Sequence, residues 1–473
     1  MAEYNKNRIS RQSKKQQKKI HASRLKEERA GQKEQERAQK AKKKPSKAFR
    51  LGQNEKNPVR PERSSKYKRG EAEFSPYHGR EQNSAQPSGE NPDLHVIKGG
   101  REKKAVRRVR LIAALCIIAA LAFGVVYFNS VAPGGLMEYF TNAYAAYGNG
   151  DGYPVRVQGG GVHNIEAAGD RLFALSDTML SCYNENGKLI FSRNHSYASP
   201  AAEIRPGRAM VYDRGNKQFM VMSLTGLIYS GKTDYNLLTA ALGYDGSFAA
   251  ATRSRLNMAE VTLYSREGDM IFKWLSANDL ITALAISRDG SSLLVATVSA
   301  ENAKYKTTLR LFDKKKDEPV KTAVLDNVMI THISERDNGQ LTLLGNSALY
   351  SMPDMKTLEC KQYSFAGRQA ICYNMTGEDT VLALSAADSS AATVIVLDSG
   401  LNARMEMTLD EQPKSCAVSE DILYIAIKNE ILAYNFSKVL AKRQEIGYDI
   451  KYVLPVFGKM AVLHQSSVMF VSP

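Results

Sequence analysis

The sequence predicts an all-β propeller of eight blades, with seven as the competing count, preceded by one transmembrane helix and a disordered basic tail. Three observations predict this. A short polar turn followed by a strand-like run recurs eight times beyond residue 153, as GDRLFALSD at 169, SRDGSSLLVAT at 287 or SEDILYIAIKN at 419. An uncharged apolar run, LIAALCIIAALAFGVVYF, fills residues 111–128. The positive charge is confined to one end of the chain.

The tail comes first. Residues 1–110 hold 32 of the 65 Lys and Arg but only 13 of the 49 Asp and Glu, so the remainder of the 473-residue chain is slightly acidic. A basic, nucleic-acid-binding reading of the folded part is therefore excluded. The tail has too few apolar residues to offset its ordering entropy and is expected to be disordered. It can rest on an anionic inner leaflet, at roughly 1 kcal/mol per nearby basic residue. It can also hold an acidic protein. Nucleic acid is the weakest of the three, because aromatic residues that would stack on bases are sparse.

The eighteen residues 111–128 rise about 27 Å as a helix, against a bilayer core of about 30 Å. Six basic residues lie at 101–110, and no Lys or Arg follows until Arg156. The positive-inside rule then places residues 1–110 in the cytoplasm and the C-terminal domain outside. A basic start this long is unlike a cleaved signal peptide, so the run reads as an uncleaved signal-anchor in the cell membrane. Residues 129–152 form an extracytoplasmic linker. Leu136, Phe140, Ala143, Tyr144 and Tyr147 would share one helical face there, suited to lying on the outer leaflet.

Residues 153–473 carry the repeats. Eight copies give a period of about 40 residues with four strands each, the signature of a propeller. The Asp-Gly, Asn-Gly and Glu-Gly pairs between runs are hairpin turns. The last copy lacks a fourth strand, and PVRVQG at 154–159 is a strand without a partner. Pairing the two would close the ring and remove its open edges.

SRDGSSLLVAT resembles the hairpin of WD-repeat propellers, with Arg288 where those repeats carry proline. CYNENGKLIF and YSREGDMIFKW resemble the turn of quinoprotein-type repeats, which dock a Trp between blades. Trp274 is the sole Trp of the chain, so that docking is mostly missing and no cofactor is expected. The layout of basic tail, single span and outer propeller is similar to an uncharacterised family of bacterial membrane-anchored β-propeller proteins. The resemblance implies a fold and an address, not an activity.

Candidate chemistry is thin. Cys182, Cys360, Cys372 and Cys416 lie beyond the apolar run. Their even count is compatible with disulfides, and Cys372 and Cys416, on the innermost strands of neighbouring copies, are placed where they could meet; buried free thiols are the favoured expectation for all four. His163, His195, His332 and His464 show no metal-binding spacing; His332 is expected on a channel-lining strand. Asp245, Asp289 and Asp337 read as turn residues. Gly159, Gly160 and Gly161 lack the strand-to-helix setting of a phosphate loop. A propeller channel can gather distant carboxylates, but no pair stands out.

Loops between copies, and between second and third strands, are expected to build a recognition face. They supply His195, Tyr197, Tyr235, Arg253, Arg255 and Tyr305, and Tyr and Arg are common anchors. The expected function is a membrane-anchored binding or scaffold module for an extracytoplasmic protein or envelope polymer. The alternative is a cell-envelope hydrolase or lyase with its site in the channel.

Overall fold

The computed structural model describes residues 101–131, 135–302, 304–336 and 338–471. The tail to residue 100, and the expectations about its disorder and partners, lie outside them, as does Asp337. The side chains of 101–106, 125–136 and 139 lie outside them as well.

Eight four-stranded antiparallel sheets follow one another along the chain. The first strands of blades 1–8 are Val162–Ala167, Pro200–Arg205, Leu237–Leu242, Leu280–Ile286, Ile330–Glu335, Gln369–Asn374, Ser415–Ser419 and Ile450–Val456. First strands of neighbouring blades touch at six of the eight junctions, including blade 8 against blade 1, so they line a central channel.

The apolar core sits at the seams. Eight clusters of buried side chains fill the eight spaces between successive blades, such as Leu172, Leu454 and Val468 between blades 1 and 8. This explains the sequence pattern. A second strand such as Thr380–Ser385 is covered on both faces and buried throughout. An outer strand such as Gly226–Lys232 has no fully buried residue and is exposed or only partly buried along its length. In six blades the first strand carries a register shift near its start, at His163 in blade 1 and Thr331 in blade 5, for example. Such bulges re-aim the side chains that follow.

The strand Val155–Arg156 pairs with Ser467–Val471 and becomes the fourth strand of blade 8. Val157 extends the seal, with its N–H on the Ser466 carbonyl at 2.8 Å and its side chain 2% exposed. The glycine run behind it is a corner. Gly159 has φ +95°, and a Cβ there would stand 2.4 Å from Ser176 Oγ. The Gly161 N–H donates to Asp177 Oδ2 at 2.6 Å.

Among the described residues, two helices precede the ring. α1 spans Arg101–Val131 and α2 spans Gly135–Ala146. Among the described residues no helix is long and apolar enough to cross a membrane. The expected span at 111–128 runs past residue 124, where described side chains stop. From Leu111 to Phe123, the large apolar side chains of α1 are each at least 60% exposed.

α2 is amphipathic with its faces inverted. Met137, Phe140, Tyr144 and the adjoining Tyr147 are exposed, while Glu138 and Asn142 turn toward the propeller. Arg208 of blade 2, 4% exposed, donates from Nη2 to Glu138 Oε2 at 2.9 Å. The helix end is fastened to the turn before the fourth strand of blade 1. Asn184 Nδ2 donates to the carbonyls of Ala146 and Gly148 at 3.0 and 2.8 Å, and Lys188 Nζ to that of Ala145 at 3.0 Å. These bonds satisfy carbonyls a helix C-terminus leaves open, and the ammonium suits the negative end of its dipole.

Candidate functional site

Antiparallel strands fix which turns share an end of the ring. First-to-second and third-to-fourth turns lie at one end, where α2 docks. Loops between blades and second-to-third turns lie at the other, the open end.

Most first strands are apolar or small, but those of blades 1, 2 and 5 carry acids toward their C-terminal ends, the docking end. Burial pushes the Glu203 carboxyl up to about 8, and the charge of Glu166 pushes it the same way against Arg205 and Arg214. Burial raises Glu166 to about 7, opposed by Arg205 and by a 2.8 Å hydrogen bond from Asn164 Nδ2. Glu335 also rises to about 7 through burial, against Arg205 and Arg288. Its Oε2 is buried with no hydrogen-bond partner among the described residues.

Arg205 interacts with all three carboxyls. Its guanidinium lies 5.3 Å from the centre of the Tyr244 ring, and that of Arg288 lies 4.6 Å from the same ring. His332 keeps solvent access from inside the channel. Burial, then Arg205 and Arg214, lowers its affinity for a proton, and its ring centre is 6.2 Å from that of Tyr373. The wall therefore gathers three carboxyls that hold their protons more tightly than an ordinary carboxylate and an imidazole that holds one less tightly. Such an arrangement can donate and accept protons around one polar guest. No three described His, Cys, Asp or Glu side chains gather as a metal site.

The structure scatters the six loop residues. His195 is 5% exposed; its Nδ1 accepts the Tyr197 N–H at 3.1 Å, so Nε2 donates to the Ser176 carbonyl at 3.2 Å. Burial lowers its pKa. Tyr197 is 8% exposed within the seam of blades 1 and 2, and burial pushes its hydroxyl up to about 12. Both therefore brace the loop and are not offered to a partner, contrary to the expectation of a recognition role. Tyr235 is half-buried, while Arg253 and Arg255 are exposed. Tyr305, 46% exposed, sits on a hairpin of two ten-residue strands, Ser292–Glu301 and Lys304–Asp313. Most strands elsewhere have five to seven residues, so this hairpin reaches about 10 Å beyond its neighbours. With Leu256, 89% exposed, these residues make the open end of blades 3 and 4 apolar and basic.

The remaining candidates resolve as structural. Asp245 and Asp289 each accept the N–H two residues on, from Ser247 and Ser291, at 3.0 Å. His163 Nε2 pairs with Asp177 at 2.8 Å, and His464 stacks on Tyr448. Trp274 packs across the seam onto Phe312 and lies under Arg310. A cavity of about 440 Å³ opens between α2 and the docking-end loops of blades 1 and 2.

The acids of the channel escaped the sequence reading. The signal was a charged residue on an otherwise apolar first strand, legible only once the blades are aligned.

No curated protein matches the sequence. Several solved structures are similar. BamB from Moraxella catarrhalis shares 11% identity at a TM-score of 0.46, covering 68% of this chain and 98% of that one. The β-propeller domain of Myceliophteria thermophila Cps50 (Swd1) shares 12% at 0.43, covering 60% and 96%. A quinohemoprotein alcohol dehydrogenase from Pseudomonas putida HK5 shares 9% at 0.45, covering 65% and 70%. The profile of a family of unknown function, DUF5711, matches residues 149–472, the whole of the ring and its closing strand, and the chain belongs to that family.

Proposed function

We propose that the protein is a binding or scaffold module, tethered to the cell membrane by a span over residues 111–128 with its propeller outside. The observation that carries this reading is the inverted α2. A helix in water buries its apolar face, yet this one turns Glu138 and Asn142 to the protein and shows Met137, Phe140, Tyr144 and Tyr147 outward. An aromatic face beside an apolar helix suits a membrane interface. The open end of blades 3 and 4, with Arg253, Arg255, Leu256 and Tyr305, then points away from the membrane toward a protein or envelope polymer.

The basic tail would lie on the anionic inner leaflet. A peptide of residues 1–100 is expected to sediment with phosphatidylserine vesicles and to be released as salt rises toward about 0.5 M. The topology is tested by protease protection on intact cells with tags at Met1 and Pro473. The reading expects digestion of the C-terminal tag and survival of the N-terminal one. Protection of the C-terminal tag would place the propeller in the cytoplasm and defeat it.

The acid cluster favours a second reading, a hydrolase or lyase acting on an envelope polymer within the channel. Turnover of such a polymer, lost in Glu203→Gln while folding is retained, would establish it.

A further inference from the structure

Cys372 and Cys416 lie on the first strands of blades 6 and 7. Those strands belong to different sheets and share no hydrogen-bonded ladder. They meet at the apolar seam formed around Val381, Val394, Leu423 and Ile425. Within that seam the two Sγ atoms stand 3.3 Å apart as thiols. A disulfide needs about 2.05 Å, so a closure of little more than 1 Å separates contact from a bond.

We propose that Cys372 and Cys416 are a reversible disulfide site that joins blade 6 to blade 7 on exposure to an external disulfide, either a small one or that of a thiol–disulfide oxidoreductase. Accessibility sets the order of events. Cys372 is half-buried and Cys416 is 1% exposed. The Cys372 thiolate attacks one sulfur of the external disulfide, forming a mixed disulfide and releasing the first thiolate. Cys416 then loses its proton and attacks the Cys372 sulfur, forming the internal bond and releasing the second thiolate. Two protons and two electrons leave the protein, and the external disulfide becomes two thiols.

Cys416 suits the second role. Its hydrogen bond with Cys372, then burial, holds its pKa well above the ordinary value, which disfavours it as the first nucleophile. The remaining cysteines outside the helices are placed differently: Cys182 is fully buried in the seam of blades 1 and 2, and Cys360 packs against the seam of blades 4 and 5. The site stands on the two thiols themselves. The compartment decides only whether an oxidant is present, so failure of the membrane reading leaves it intact.

The test uses the full chain, reduced and then equilibrated in glutathione buffers of rising oxidised fraction. Samples are acid-quenched, alkylated under denaturing conditions and mapped by peptide mass. The expected product is a single cross-link between Cys372 and Cys416, lighter by about 2 Da and reversed by dithiothreitol, with the other three cysteines alkylated. In Cys416→Ser the reaction should stop at a glutathione adduct on Cys372. Alkylation of both cysteines in the most oxidising buffer overturns the proposal. So does an adduct that persists on Cys372 in the unsubstituted chain.

Discussion

A carboxyl that keeps its proton when folded weakens the fold as the solution becomes alkaline. Glu203 has an ordinary value of 4.5 and a folded value of about 8. Below the lower value both states are protonated and the group contributes nothing. Between the two, the unfolded chain gives up the proton while the folded chain holds it, so stability falls as pH rises; above about 8 the loss is complete. Glu203→Gln removes this dependence. The variant and the parent should melt together near pH 4.5, and the variant should melt higher at pH 9. Parallel melting curves across that range would show that the channel does not hold the proton. Legibility at this scale follows the range of the interaction. Asp245 and Asp289 were readable as turn residues because their partners lie two residues away. Glu166, Glu203 and Glu335 converge from three blades, and nothing beside them in the chain marks which strand faces inward. His195 and Tyr197 misled because a polar loop can still be packed under its neighbours.

Among the elements, the closing strand was the most legible. A last copy short of one strand, and a first strand short of a sheet, leave one antiparallel solution, and Val155–Arg156 adopts it. Val157 should therefore be sensitive out of proportion to its position near the start of the ring. Val157→Asp would bury an unpaired charge, at a cost of about 3–5 kcal/mol, and open the seam of blades 8 and 1. Chemical denaturation should show that loss, and a midpoint unchanged from the parent would mean the seal is dispensable. For α2, the sequence showed the shared face of Phe140, Ala143, Tyr144 and Tyr147. It could not show that Glu138 and Asn142 would supply the docked face, because the Glu138 partner Arg208 lies 70 residues away, in blade 2.

At the scale of the whole molecule, eight seams form one closed ring, and each blade leans on two neighbours. A linear array of repeats can lose its ends first, whereas a closed ring has none. Trp274, the sole Trp, reports the seam of blades 3 and 4 through Phe312, while far-ultraviolet circular dichroism reports the strands of all eight blades together. The two signals are expected to unfold together in the parent and to separate in Val157→Asp, where the opened seam lies far from Trp274. Separation already in the parent would mean that closure does not couple the blades. The eightfold repeat made this architecture readable from the chain, since period and strand count are properties of sequence order. The character of the channel was not, because it arises from what the ring brings to its centre.

The fastening of α2 to blade 1 has a mechanical consequence. The two-residue closing strand lies directly downstream of the segment that joins helix to ring, and a tug from the N-terminal side would otherwise peel it from blade 8 like a zip. Before reaching Val155, that load meets the bonds from Asn184 and Lys188 to the end of α2, the N–H groups of Gly150 and Gly152 on the Asn186 carbonyl, and the Tyr153 hydroxyl on that of Asn184. These anchor the chain to a different blade from the one it seals. They work as the strain relief on a cable does: the sleeve takes the pull, and the joint beyond it carries none.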